Sequence, residues 1–209
     1  RPGPEYMLAK KAFDLVVSFI GIATLWPFMV ICAVMIKAYD GGPVLYKQKR
    51  LTKDGKVFEI LKFRSMRVDA ESDGVARLST GKKDSRITPV GKLIRAVRFD
   101  ELPQLINILK GDMSVVGPRP ERPEIIKQYM EEMPEFAFRM KVKAGLAGYA
   151  QVYGKYSTTN YDKLRLDLIY IENYSLLLDL KLLFMTPQIL FRREASEGVD
   201  KVCHRDGSV

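Results

Sequence analysis

Residues 15–36 read LVVSFIGIATLWPFMVICAVMI, twenty-two positions without a charged side chain. As a helix rising about 1.5 Å per residue, this stretch is roughly as long as a bilayer's hydrocarbon core is thick. A secretory signal fits poorly, since the stretch is long and no small-residue cleavage site follows. A core helix of a soluble domain is the other reading, although unbroken apolarity is unusual there. Pro27 lies near the middle between Trp26 and Phe28, where it removes a backbone bond and bends a helix. Thr24 is placed to satisfy a freed carbonyl. Basic residues flank both sides, Lys10 and Lys11 before, Lys37, Lys47, Lys49 and Arg50 after. A crossing helix carries such charge mainly on its cytoplasmic side. The pattern therefore predicts a re-entrant helical hairpin over 10–37, broken at Pro27, with both ends on one face.

The remainder suits one compact domain within 209 residues, α+β and mainly helical. The first residue is arginine, so residues 1–9 are expected to be a linker or tag remnant of a longer protein. Residues 38–193 are expected to form a cytosolic domain with membrane-surface helices, and 194–209 a polar tail. Val44–Tyr46 and 57–66 read as extended arms around the Asp54-Gly55 turn signal, a short β-hairpin. Its second arm places Lys62 and Arg64 on one face. Residues 69–86 read as a mobile loop, 90–99 as a short basic helix, and 101–110 as a helix ending at Gly111. Within 101–110, Leu102, Leu105, Ile106 and Leu109 recur at helical spacing. Further helices are expected over 130–139 and 164–174, with a glycine-containing loop or strand over 142–154. Residues 174–193 suit either an amphipathic helix in the headgroup layer or a packed core helix. The basic helix 90–99 is expected to turn Lys92, Arg95 and Arg98 toward an anionic surface.

Thirty-four basic against 25 acidic residues give a net charge of +9, which favours polyanionic partners. Nucleic acid explains this charge poorly, because aromatics are not interleaved with the basic residues and the chain carries the apolar 22-mer. Two distant cysteines build no disulfide framework, and the one histidine, His204, lies near the end. No zinc pattern, P-loop or dinucleotide fingerprint is present. Chemistry here is expected to rest on carboxylates and cations, with or without a metal.

Those groups concentrate in RFDELPQLINILKGDMSVVGPRPERPE, residues 98–124. Asp100 and Glu101 precede an apolar-faced helix with Pro103 in its first turn. Asp100 reads either as a plain N-cap or as a carboxylate sharing a positive site with a phosphate, with Glu101 holding a divalent cation. Downstream, prolines on both sides of Arg119 fix the backbone. A guanidinium held this way loses little entropy in gripping a phosphate.

These strings, with KKAFDLVVS at 10–18, GGPVLYKQKR at 41–50, ILKFRSMRVDAE at 60–71, DSRITPVGKLIR at 84–95, KAGLAGYAQVYGKY at 143–156 and DLIYIENYSLLLDLKLLF at 167–184, resemble the monotopic phosphoglycosyl transferases. These form the bacterial sugar-transferase family that starts glycoconjugate and exopolysaccharide assembly on polyprenyl phosphate. One departure is Trp26-Pro27, where the family often has Ser-Pro. The resemblance implies transfer of sugar-1-phosphate from a UDP-sugar to undecaprenyl phosphate, with release of UMP. It implies a ping-pong course in which Asp100 carries a covalent phosphosugar. Asp100 and Glu101 would bind Mg²⁺, and Lys62, Arg64, Arg119 and Gln151 would contact substrate or phosphate. It further implies residence at the cytoplasmic leaflet of a bacterial inner membrane, and a possible homo-oligomer through a region preceding residue 1. The alternatives are a membrane-bound glycosyltransferase that releases UDP and a non-catalytic module that recruits partners.

Overall fold

A computed structural model describes residues 3–70, 84–154 and 159–190. Most of the expected loop over 69–86 and all of the polar tail 194–209 lie outside the described residues.

The apolar stretch is one long helix, α1 (Pro4–Asp40). Pro4 occupies the first turn, where its missing N–H costs nothing, so residues 4–9, expected as a linker, are helical. Gly41 ends the helix with a left-handed φ of 68° and donates its N–H to the Lys37 carbonyl at 2.9 Å. Helical structure continues on both sides of Pro27, so the two expected arms form a single element. Thr24 does not serve the carbonyl of Ala23 that Pro27 leaves free. Its hydroxyl donates to Ile20 and Gly21 instead, at 2.8 and 3.2 Å.

Only 11 % of the most apolar part of α1 is buried, which removes the soluble-core reading. Phe19, Ile20, Trp26, Ile31 and Val34 face outward, a surface suited to lipid rather than water. Yet the helix is packed on the rest of the protein toward both ends. Asp14 and Ser18 are buried near one end, Cys32 and Ile36 near the other, and Gly21 lies against Leu105 between them.

The hairpin forms as expected: β1 (Leu45–Leu51) pairs antiparallel with β2 (Val57–Phe63), Leu45 opposite Phe63 and Leu51 opposite Val57. Asp54 and Gly55 both take positive φ at its turn. Phe58 and Ile60 of β2 enter the main core with Leu105 and Ile108 of α3 (Gln104–Lys110). The buried face of α3 is thus Leu105-Ile108 with Gln104 and Asn107, whereas Leu109 is exposed. Asn107 explains the difference. Its amide accepts from the Leu61 N–H (2.9 Å) and donates to the Glu59 carbonyl (2.8 Å), pairing the edge of β2 that β1 leaves open.

Two three-residue strands, β3 (Ser114–Val116) and β4 (Gly145–Ala147), pair in parallel behind α3. Their approach is so close that a Cβ on Gly145 would meet the Gly117 nitrogen at 2.0 Å. The remaining helices are α2 (Pro89–Ala96), α4 (Pro123–Glu132), α5 (Tyr149–Tyr153), α6 (Asn160–Asn173) and α7 (Leu176–Leu190). The helix expected over 130–139 is instead the end of α4 followed by a 3-10 helix, Pro134–Lys141, because Pro134 interrupts it. In α7 Asp179 and Leu182 are wholly buried, while Leu177, Leu180 and Phe184 lie exposed. That helix therefore has a core side, as the packed-helix reading expects, and an apolar outward side.

Candidate active site

The chain reverses at Arg98, the N-cap of a 3-10 turn over Phe99–Glu101, with a left-handed φ of 57°. For a residue other than glycine this conformation costs energy, and such strain collects at functional positions. The turn precedes α3 because Pro103 has no N–H to donate and crowds the carbonyl four residues back. The i→i−3 bonds from Glu101 to Arg98 and from Leu102 to Phe99 form instead. Asp100 therefore lies inside a turn ahead of the helix and makes no cap hydrogen bond, which corrects its reading as the N-cap. Phe99 packs on Phe28 of α1 with ring centroids 5.7 Å apart. Leu102 joins Phe63, Ile94 and Ile36 in a second core cluster. The dyad is thereby held against the lipid-facing helix.

Both carboxylates are buried, and they differ sharply in their surroundings. Glu101 Oε1 accepts from Arg119 Nη2 at 2.6 Å and Lys62 Nζ at 3.4 Å. Burial alone would push its carboxyl up, but Arg119 and Lys62 hold it well below the usual carboxylate range. Arg119 is correspondingly raised above its ordinary value by Glu101. The Lys62 ammonium is lowered by burial, which the charge of Glu101 opposes. Asp100 has no hydrogen bond among the described residues. Burial, and then the charge of Glu101, raise its carboxyl, while Lys62, Arg95 and Arg119 pull the other way. One carboxylate is a fixed anchor and the other is open.

Three of the expected residues thus converge with Asp100: Glu101, Lys62 and Arg119. Gln151, on α5, lines a neighbouring pocket of about 160 Å³ with Arg98, Glu101, Leu102, Leu146, Ala147, Val152 and Thr186. Among the described residues the buried Gln151 Oε1 has no hydrogen-bond partner. Arg64 is not brought to this cluster. Its guanidinium pairs with Asp40 at the end of α1 and packs over Gly42, because β2 ends at Phe63 and alternation fails beyond it. Pro27 sits in the exposed part of α1.

Arg95 was expected at the membrane surface, but it turns inward. Its Nε donates to Ser65 Oγ at 2.7 Å, and its charge acts on Asp100. The reason is helical phase: Gly91 and Ile94 are the buried residues of α2, and Arg95 follows Ile94 on the same side, leaving Lys92 exposed. Two buried pairs were not foreseen, Arg139–Asp167 behind Arg119 and Lys10–Asp179 between α1 and α7. The available signal was a carboxylate on the buried face of each helix, since a buried charge requires a partner.

Among the described residues no three His, Cys, Asp or Glu side chains converge, so no cage built wholly of protein ligands is seen there. The open Asp100 carboxylate instead suits a cation that keeps waters and borrows ligands from substrate phosphates, as Mg²⁺ does. Two buried carboxylates beside Lys62, Arg95 and Arg119, at the flank of a helix with an exposed apolar surface, form a site whose cations suit a polyanion.

The chain belongs to the bacterial sugar transferase family, whose sequence model matches residues 5–193. It is 42% identical over 188 residues to an Aeromonas hydrophila UDP-N-acetylgalactosamine-undecaprenyl-phosphate N-acetylgalactosaminephosphotransferase, covering 88% of this chain and 44% of that protein. Against a Klebsiella pneumoniae UDP-glucose:undecaprenyl-phosphate glucose-1-phosphate transferase it is 38% identical over 185 residues, 86% of this chain and 39% of the other. An exopolysaccharide production protein of Rhizobium leguminosarum bv. phaseoli is 39% identical over 189 residues, 86% of this chain and 94% of its own length. The chain thus spans about two-fifths of the first two relatives.

Proposed function

We propose that this chain carries the catalytic portion of an enzyme that moves sugar-1-phosphate from a UDP-sugar to undecaprenyl phosphate, releasing UMP. The observation that carries this reading is the electrostatic contrast between neighbouring buried carboxylates, since environments that push two such groups apart assign them different roles. Glu101 is neutralised by Arg119 and Lys62 and is thereby kept from acting as a nucleophile. Asp100, open and still able to ionise, attacks the β-phosphorus of the donor. The bond between that phosphorus and the bridging oxygen breaks, UMP leaves, and the sugar phosphate remains on Asp100 as an acyl phosphate. An oxygen of undecaprenyl phosphate then attacks the same phosphorus and displaces the carboxylate, giving the lipid diphosphosugar.

Arg119, 37 % exposed beside the dyad, is placed to grip a donor phosphate as well as Glu101. Arg95 and Lys62 supply positive charge where the transferring phosphoryl group accumulates negative charge. Mg²⁺ would be held by Asp100 and Glu101 together with donor phosphates, and when bound it neutralises diphosphate charge. Gln151 offers its unpaired oxygen to a hydroxyl or amide of the donor.

Support for a single-leaflet placement comes from α1, which is packed on one body toward both ends. A helix crossing the bilayer would need that body on both sides, whereas one held in a single leaflet needs it on one. We place the protein at the cytoplasmic leaflet of a bacterial inner membrane, where a soluble donor and a lipid acceptor can meet. The substrates named for the relatives favour the transfer proposed above, and the donor sugar is a question for experiment. Released nucleotide should be assayed in detergent with Mg²⁺ and undecaprenyl phosphate over a panel of UDP-sugars. UMP from one donor, lost in Asp100→Asn, is the expected result. UDP would mean transfer of the sugar alone, and no nucleotide from any donor by a folded sample would favour a recruiting module.

A further inference from the structure

The segment from Pro118 to Glu121 is rich in acceptors, because Pro118 and Pro120 have no N–H while all four residues carry carbonyls. Unpaired buried carbonyls are costly, so donors must come from elsewhere. Each carbonyl has one: the Gly145 N–H bonds Pro118 (2.9 Å), Arg139 Nη2 bonds Arg119 (3.1 Å), Arg50 Nη1 bonds Pro120 (3.1 Å) and the Leu51 N–H bonds Glu121 (3.0 Å). Two of the four donors are guanidiniums. Arg139 is the one that holds the peptide of Arg119 itself.

Arg139 is in turn immobilised. Its Nε donates to Asp167 Oδ2 at 2.6 Å, and its guanidinium lies over the Phe136 ring at 4.7 Å. Asp167 is 1 % exposed on the inner face of α6, between Leu164 and Tyr170. Arg139 meets the two acceptors through different nitrogens of one planar group, Nε and Nη2, a spread that the single nitrogen of a lysine does not reproduce. A continuous path therefore runs from Asp167 through Arg139 to the Arg119 backbone, then through the Arg119 guanidinium to Glu101.

We propose that Arg139, oriented by Asp167, is a positioning residue that sets where the Arg119 guanidinium meets Glu101 and the donor phosphate. The proposal rests on the functional reading above and adds the source of its geometry. Arg139 is directed at Arg119 and makes no contact with the dyad; its effect on the reaction runs through one neighbour.

A double-mutant cycle tests this with the full chain in detergent, using a radiolabelled donor so that slow variants stay measurable. Arg139→Lys is expected to lower kcat/KM for the UDP-sugar at least tenfold, mainly through kcat. In an Arg119→Lys background the same change should cost less than twofold. Asp167→Asn keeps shape and an acceptor, which guards against misfolding; it should show a smaller loss with the same dependence on Arg119. Equal losses in both backgrounds, or none in the wild-type background, would overturn the proposal and leave Arg139 a packing residue. If Arg119→Lys alone has no effect, Arg119 has no part in catalysis, and the functional reading fails at that residue first.

Discussion

Asp100 and Glu101 are neighbours in sequence with opposite electrostatic histories, and pH separates their roles. Burial raises Asp100, so the ionised form that the proposed mechanism requires appears only above the ordinary carboxylate range, near pH 4. The acid limb of the rate profile should therefore lie above that range. Because the charge of Glu101 contributes to the rise, Glu101→Gln should move the limb to lower pH while lowering the maximal rate; single-turnover rates across pH decide this. Stability carries the same signs. The folded Asp100 pKa is above its unfolded value, so its unfavourable contribution is absent in acid and grows as pH rises through that window. Asp100→Asn should raise Tm at neutral pH and have no effect in acid. Glu101 is depressed, so its contribution is present above the unfolded carboxylate range and disappears as pH falls below it. Glu101→Gln should cost about 1–3 kcal/mol at neutral pH and less in acid, by thermal unfolding. The residues legible in sequence were those whose neighbours are local: the adjacent dyad and the proline-clamped arginine. Arg139 and Asp167 were not, since they lie 28 positions apart and meet only through the fold.

At the scale of elements, turn chemistry was the reliable guide. Asp54-Gly55 set the hairpin, and Gly111 closes α3 with a φ of 84°. The dyad's own turn was misread as a helix start, because the effect of Pro103 on the preceding carbonyl competes with its welcome in a first turn. Arg64 was misplaced because strand alternation stops one residue before it. Of the parallel pair, β4 could be read only as part of a glycine-containing loop or strand over 142–154, since no local pattern shows that Gly117 and Gly145 must approach. That approach makes a prediction: Gly145→Ala drives a methyl into the Gly117 backbone and should cost about 1–3 kcal/mol in denaturant or thermal unfolding. A variant as stable as wild type would mean that the two strands have room to part.

For the whole molecule, the proposed reaction requires a water-soluble donor to meet a lipid, and the arrangement of α1 bears on how. Its apolar surface belongs in lipid, yet Lys10 near one end donates to Val116 and Asp179 of the same body that Asp40, at the other end, engages through Arg64. Single cysteines at Lys11 and Tyr39, with Cys32 and Cys203 changed to Ser, should both be shielded from an impermeant maleimide until the inner membrane is opened. Labelling of one alone would mean that the helix crosses. The charge on both flanks is the sequence signal for ends on one face, which this labelling tests; that a single helix would form through Pro27 the sequence did not show. The most direct test of the central claim is intact-mass analysis of the protein mixed with its donor and Mg²⁺ in the absence of lipid. A gain of one sugar phosphate mapping to the peptide of Asp100, with one UMP released per chain, is the predicted result. An unmodified chain that releases nucleotide only after undecaprenyl phosphate is added would contradict a covalent course on Asp100.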